Sequence, residues 1–223
     1  MFDGWLYALS FFPFCAADWA LTSAGLTSPY YLLHALHNAA IVALTWPDVA
    51  ATFTDFHALD SYPVNIRATA LVVSLHLYHI ARYRSTLRFD DWLHHVLMIG
   101  VAIPLGLASS TTPLMGYSLF FSTGLPGGIS YFALFLQRNG WLARLTEKRI
   151  NTRMNVWIRS PGCASHAAFV AAWALSGSLD FWGRIWAAVP AALMYWNGQY
   201  FMQQAVVDLA RREIEERQHP HEV

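Results

Sequence analysis

Seven stretches of unbroken apolar sequence, each near the ~20 residues a helix needs to cross a bilayer, decide what this chain can become. They fall at about residues 5–21, 29–46, 64–81, 91–107, 113–136, 164–179 and 181–209. Runs such as YYLLHALHNAAIVALTW are continuous, not alternating. A membrane barrel is built from short strands of alternating polarity, and open-edged backbone is not sustained in lipid. The expected fold is therefore all-α, a polytopic transmembrane helical bundle of about seven spans. Composition agrees: 56% of residues are hydrophobic and only 13% are charged, against about 25% charged in soluble domains. A formal net charge of zero gives no basic footprint for nucleic acid. Cys15 and Cys163 lie in or beside apolar runs and form no CxxC pair, so they read as small buried thiols. Asp3 and the lack of Lys or Arg before Trp5 do not match the basic opening of a signal peptide. The first run is expected to be retained.

Charge orients the bundle. Arg82, Arg84 and Arg88 lie between the third and fourth runs. Arg138, Arg144, Lys148, Arg149, Arg153 and Arg159 lie between the fifth and sixth, and Arg211, Arg212 and Arg217 follow the seventh. With seven spans all three groups fall on one side, leaving Arg67 and Arg184 on the other. The positive-inside rule then places the basic side in the cytoplasm and the N-terminus in the lumen. The basic connector at 137–161 carries Trp141, Leu142, Leu145, Ile150, Met154 and Trp157 among its charges. It reads as a helix lying against anionic headgroups or as a plain topology signal. The acidic connector with Asp48, Asp55 and Asp60 is expected outside the second span.

Polar and ionisable groups inside spans need partners and are functional candidates by default. Six of the ten histidines fall in or at spans two, three and four: His34 and His37, His76 and His79, His94 and His95. The i, i+3 spacing of the first two pairs puts both rings on one helix face. The adjacent pair points about 100° apart, so at most one ring is expected to face a given neighbour. DDWLHHVLMIG also sets Asp90 and Asp91 at the mouth of the fourth span. Three readings compete. The rings act as acid, base or acyl acceptor, with Asp90 or Asp91 orienting one of them. The rings bind zinc or iron, although HxxHH spacing is absent. Or the rings serve packing alone, as expected for His57, His166, His219 and His221. Pro126, followed by two glycines, is expected to kink the fifth span and widen a cavity beside the fourth.

HLYHIARY, a short polar loop, DDWLHHVLMIG, FFSTGLPGGISYFALFLQRNG and MYWNGQYFMQQAVVDL follow one another in an order that resembles the TLC domain family of lipid-linked integral membrane proteins. The resemblance covers about residues 30–209. It implies a six-span core within 29–209, preceded here by one more span and loop (1–28) and followed by a charged cytoplasmic tail (210–223). Ceramide synthases in that family continue the His-His pair with a His-Asp pair, where this chain has Ala102 and Ile103. Tyr78 is followed by His79 in place of Asp, and Gly124 stands near the family's acidic position. The resemblance thus implies a divergent member in the endoplasmic reticulum or another endomembrane, active in membrane lipid metabolism or homeostasis. As an enzyme it would be an acyltransferase acting on lipid, with His94 and His95 catalytic, Asp90 and Asp91 orienting, and acyl-CoA as co-substrate but no resident cofactor. His34, His37, His76, His79 and Pro126 would line the ligand site. Two alternatives stand beside it: a non-catalytic lipid sensor, trafficking factor or subunit with protein partners in the membrane, and a metal-dependent lipid oxidase or hydrolase.

Overall fold

Apolar runs that lack turn residues close their backbone hydrogen bonds locally, and each run here becomes one helical rod. The computed structural model describes residues 4–62, 65–109, 113–176 and 179–218. Among these no strand occurs. Seven rods follow in order: α1 (Gly4–Ser23), α2 (Pro29–Thr54), α3 (Ile66–Tyr83), α4 (89–109), α5 (Leu114–Arg138), α6 (144–175) and α7 (Phe181–Gln218). A short 3-10 turn, Phe56–Ser61, links α2 to α3.

The corners have simple causes. Gly25 (φ 77°) and Ser28 (φ 54°) take left-handed backbone between α1 and α2, and Pro29 opens α2 where no backbone N–H is needed. Gly140 (φ 76°) makes the turn between α5 and α6. Asn139 ties these two corners together, donating from Nδ2 to the Thr27 carbonyl (3.1 Å) and accepting from the Thr27 N–H (3.2 Å).

Three rods outrun the apolar runs that predict them, α7 by continuing through the charged residues after 209 to Gln218. α2 passes through Pro47 to Thr54, so Asp48 lies within a helix and not in a connector. Asn65 steadies that stretch: its Nδ2 donates to the Leu44 carbonyl and to Asp48 Oδ2 (3.2 Å), while its Oδ1 caps α3 at Ala68. Most of the basic connector is likewise the first part of α6. Arg144–Met154 continues through Asn155–Arg159 into Ser160–Leu175 with helical dihedrals at each junction. Two of its cations pair with α7: Lys148 with Asp208 (2.8 Å) and Arg149 with Glu213 (3.2 Å).

Three rods contain a widened, π-helical stretch: Val96–Ala102 in α4, Phe120–Gly124 in α5 and Asn155–Arg159 in α6. Such insertions are frequent at functional sites. In α5 the irregularity falls just before Pro126, which is fully buried in the first turn of Leu125–Arg138, where its missing N–H is tolerated.

α2 packs along α5, α6 along α7, and α1 along α3; α4 leans on α7. Ile41, Ala68, Val72, Ile103 and Leu119 close one core between α2, α3, α4 and α5. Leu59, Leu114, Val170, Trp173, Ala187 and Ala191 close another. The outside is also apolar: Trp19, Trp46, Phe53, Phe89, Leu175 and Trp182 are each at least 60% exposed. Among the described residues two helices, Phe89–Ala108 and Leu114–Arg138, are long and apolar enough to cross a membrane.

Candidate functional site

Because α4 leans on α7, it meets α3 through side chains, and those side chains are histidines. His76 anchors the group. Its Nδ1–H donates to the Val72 carbonyl one turn back (2.7 Å), which leaves a lone pair on Nε2. His94 Nε2 lies 3.3 Å from that atom. Hydrogen-bond logic makes His94 the donor there, in its Nε2–H form when neutral.

His95 faces the same ring from another side. The His76 and His94 rings are stacked with centroids 5.4 Å apart, and the His76 and His95 rings meet edge to face at 5.2 Å. The expectation that at most one member of the pair faces a given neighbour is thus corrected. A separation of about 100° around the helix lets the two side chains bracket one ring seated between them. His79, one turn after His76, also contacts His95, at 4.9 Å. His95 is only 4% exposed, and neither of its ring nitrogens has a hydrogen-bond partner among the described residues. A buried polar ring left this way costs free energy, so it points to a group that the fold does not itself supply.

Tyrosines complete the cluster from α2 and α5. Tyr30 lies over His34 with centroids 3.9 Å apart, and its hydroxyl is 3.4 Å from His79 Nδ1. His34 donates Nδ1–H to the Tyr30 carbonyl (2.9 Å) and rests 4.7 Å from the Tyr131 ring. These groups line a cavity of about 470 Å³ whose remaining wall is largely apolar, with Leu75, Leu97, Met98 and Met194 among it. That volume suits a small amphiphile or part of a lipid.

The i, i+3 rule holds for one histidine pair and not the other. His76 and His79 both reach His95. His34 joins the cavity, but His37 turns toward Phe14 and donates Nδ1–H to Asn38 Oδ1 (2.9 Å). Asp90 and Asp91 reach the cavity wall. Asp91 Oδ2, however, accepts the Arg88 N–H (3.0 Å) and lies 3.5 Å from Arg88 Nε, closing the first turn of α4. No hydrogen bond links a carboxylate to a histidine among the described residues. Pro126, expected to line the ligand site, is buried and not among the residues lining the cavity, and its neighbour Gly127 is close to Asn38 and Arg159. Among the described residues no three His, Cys, Asp or Glu side chains are grouped to hold a metal ion. His57 contacts Phe56, and His166 is buried near Tyr117, both away from the cluster. His219 and His221 lie outside the described residues.

A second chamber of about 720 Å³ adjoins the first, sharing His76, His94, Thr123, Tyr131, Asn197 and Phe201 as walls. It is cationic. Arg159 stands in it, donating from Nη1 to Asn155 Oδ1 (2.8 Å) with its guanidinium carbon 5.1 Å from the Phe201 ring centre. Sequence reasoning counted Arg159 as a topology charge and passed over Tyr30, Tyr131 and Asn155. Arg159 offered one signal, an arginine at the edge of an apolar run; the tyrosines read as ordinary core. No family model, curated protein or solved structure matches this chain.

Proposed function

We propose that the chain is a seven-span membrane protein of TLC-like architecture that holds a lipid in the histidine cavity and transfers an acyl group there. Several observations support the membrane part. Each of the seven apolar runs falls largely within one rod, and large aromatic side chains stand exposed around them. Five of the rods fall short on hydropathy in part because Trp, Tyr and His lower that average without adding carboxylates or cations. Arg88, Arg138 and Arg211, from the three basic groups, all border one chamber. This fits a single cytoplasmic face, with the N-terminus lumenal, the tail after 209 cytoplasmic, and residence in an endomembrane such as the endoplasmic reticulum.

The observation that carries the chemical part is His95, buried without a partner among four other imidazoles around an apolar cavity. In an acyl transfer from acyl-CoA, a ring nitrogen would attack the thioester carbonyl and the thiolate would leave. A lipid hydroxyl or amine would then attack the acyl-imidazole, its proton passing to the ring as the C–N bond breaks. His76 and His94, joined nitrogen to nitrogen, offer a path for that proton. The test is the double substitution His94→Ala with His95→Ala, followed by mass spectrometry of cellular lipids. A changed profile supports catalysis; a folded double variant with an unchanged profile refutes it.

One observation favours a second reading, a non-catalytic lipid-binding or assembly role. Asp91, one of the two carboxylates expected to orient a histidine, is committed to Arg88 and the start of α4. Under this reading the double variant loses bound lipid from the purified protein while cellular lipid composition stays the same.

A further inference from the structure

The chamber beside the histidines is built for an anion. Five cationic side chains border it, Arg88, Arg138, Lys148, Arg159 and Arg211, against two carboxylates, Glu147 and Asp208. Both carboxylates are already engaged by one of those cations: Lys148 Nζ lies 3.2 Å from Glu147 and 2.8 Å from Asp208. Three of the four arginines are left over. Arg88 reaches Asp91 only at 3.5 Å, with most of its side chain in the open. Arg138, Arg159 and Arg211 make no ion pair with any described carboxylate.

Arg159 is the arginine whose surroundings are best defined. One face of its guanidinium is toward Phe201, Nη1 is held by Asn155, and Nε is buried with no hydrogen-bond partner. It lies beside α5, where a Cβ on Gly127 would be in ordinary contact with Nη2 at 3.7 Å. A guanidinium fixed on one edge and free on another is arranged to receive an oxyanion, and its planar fork suits phosphate or carboxylate geometry. The number of unpaired arginines decides between the two. One carboxylate needs one arginine; several arginines around a volume of about 720 Å³ match a phosphate, with room for what is attached to it.

We propose that this chamber binds a phosphate group through Arg159, flanked by Arg88, Arg138 and Arg211, and that the apolar part of the same ligand enters the adjoining histidine cavity. The shared walls, His94 and Tyr131 among them, place the phosphate next to the histidine cluster. Only the apolar half of the proposal rests on the lipid reading above. The phosphate can come from a lipid headgroup or from a soluble phosphate compound, and the two sources bind differently.

The test uses the full chain in detergent micelles with three probes: a short-chain phosphatidic acid, the matching diacylglycerol without phosphate, and inorganic pyrophosphate. Phosphatidic acid is expected to bind at least tenfold more tightly than diacylglycerol. Arg159→Gln should weaken it about ten- to hundredfold, the range for a hydrogen bond to a charged group. Arg149→Gln, at the outer pair with Glu213, should leave it unchanged. Comparable binding of pyrophosphate, sensitive to the same substitution, assigns the site to a soluble phosphate; binding of phosphatidic acid alone assigns it to a headgroup. Equal affinity for phosphatidic acid and diacylglycerol, or a folded Arg159→Gln protein that binds like the parent, overturns the proposal. Should Arg159→Gln fail to fold, the combined Arg88→Gln and Arg211→Gln variant takes its place under the same two criteria. The outcome is independent of the acyl-transfer reading. Phosphate binding lost in Arg159→Gln, with cellular lipids unaffected by the histidine double variant, leaves a binding site without the chemistry. Altered lipids without phosphate preference leave the chemistry without this site.

Discussion

Gly127 and Gly128 are adjacent on α5 yet face different amounts of room, and exchanging each for alanine isolates the steric cost. A Cβ on Gly127 would lie 2.7 Å from Asn38 Nδ2, well inside van der Waals contact. Asn38 cannot easily yield. It is 1% exposed, and its Oδ1 accepts from His37 Nδ1 (2.9 Å) and from Thr123 Oγ1 (3.1 Å). A Cβ on Gly128 would meet Asn38 Cβ at 3.4 Å and the Ala35 carbonyl at 3.9 Å, ordinary contacts. Both substitutions gain the same helix propensity, about 1 kcal/mol in water-based scales, so that contribution cancels in the difference. What remains is overpacking, about 1–3 kcal/mol, with about 1 kcal/mol more for each hydrogen bond Asn38 must give up. Gly127→Ala is therefore expected to be about 2–4 kcal/mol less stable than Gly128→Ala, and Gly128→Ala to match or exceed the parent. Equilibrium unfolding in mixed micelles, following tryptophan fluorescence, measures both. Equal midpoints for the two variants would refute the reasoning, because they would mean that α5 and α2 do not approach as described.

Replacing His95 by Leu removes a buried ring with no hydrogen-bond partner, so stability should hold or rise by up to about 1 kcal/mol while lipid binding or turnover is lost; a large drop in the unfolding midpoint would show that the ring is paired after all. Asp18 is 3% exposed and accepts from Arg82 Nε (3.1 Å) and the Tyr83 hydroxyl (3.2 Å), tying α1 to α3. Arg82 is more than half exposed and so adds little, and Asp18→Asn should cost about 1–2 kcal/mol, seen as faster amide exchange confined to α1 and the end of α3. In the charged first part of α6, read as outside the membrane, burial pushes the Glu147 carboxyl above the usual glutamate range, against the pull of Lys148. The folded chain then holds that proton more tightly than the unfolded chain. Its contribution to stability should be greatest below the unfolded glutamate pKa and fall as pH rises toward the folded value; Glu147→Gln should flatten that slope, and an unchanged slope would argue that another group sets it.

Much of the architecture was legible because hydropathy reads apolar runs directly. α1 and α4 lie close to where the runs at 5–21 and 91–107 put them. The misses share one cause. A helix over residues 144–159 was one of two readings, but its docking on α7 through Lys148 and Arg149 was not, because pairing of that kind with Asp208 and Glu213 leaves no apolar run to find. The extension of α2 through Pro47 likewise depends on Asn65, a residue 21 positions beyond the Leu44 carbonyl it serves. At the site, the histidines could be found because imidazole is costly inside an apolar run. Which of them converge could not, since that depends on how α4 leans. His37 and Asp91 were drawn away by near neighbours, Asn38 and Arg88, whose local bonds outcompete the longer reach to the cavity.

The widened stretch Val96–Ala102 has a genetic consequence. It follows His95 directly, and a π-helical insertion amounts to one residue more than a regular helix needs over the same length. Deleting a single codon there would leave a continuous helix, still long enough to hold its place, with His94 and His95 unmoved. Everything beyond the deletion would keep its facing, whereas a regular helix that kept all its residues would turn it by about 100°, carrying Ile103 out of the core it closes with Ile41, Val72 and Leu119. The extra residue is thus a phase adjuster: it allows one helix to show imidazoles to α3 at one end and a packing face to α2 and α5 at the other, two orientations that a uniform helix of this sequence could not satisfy together.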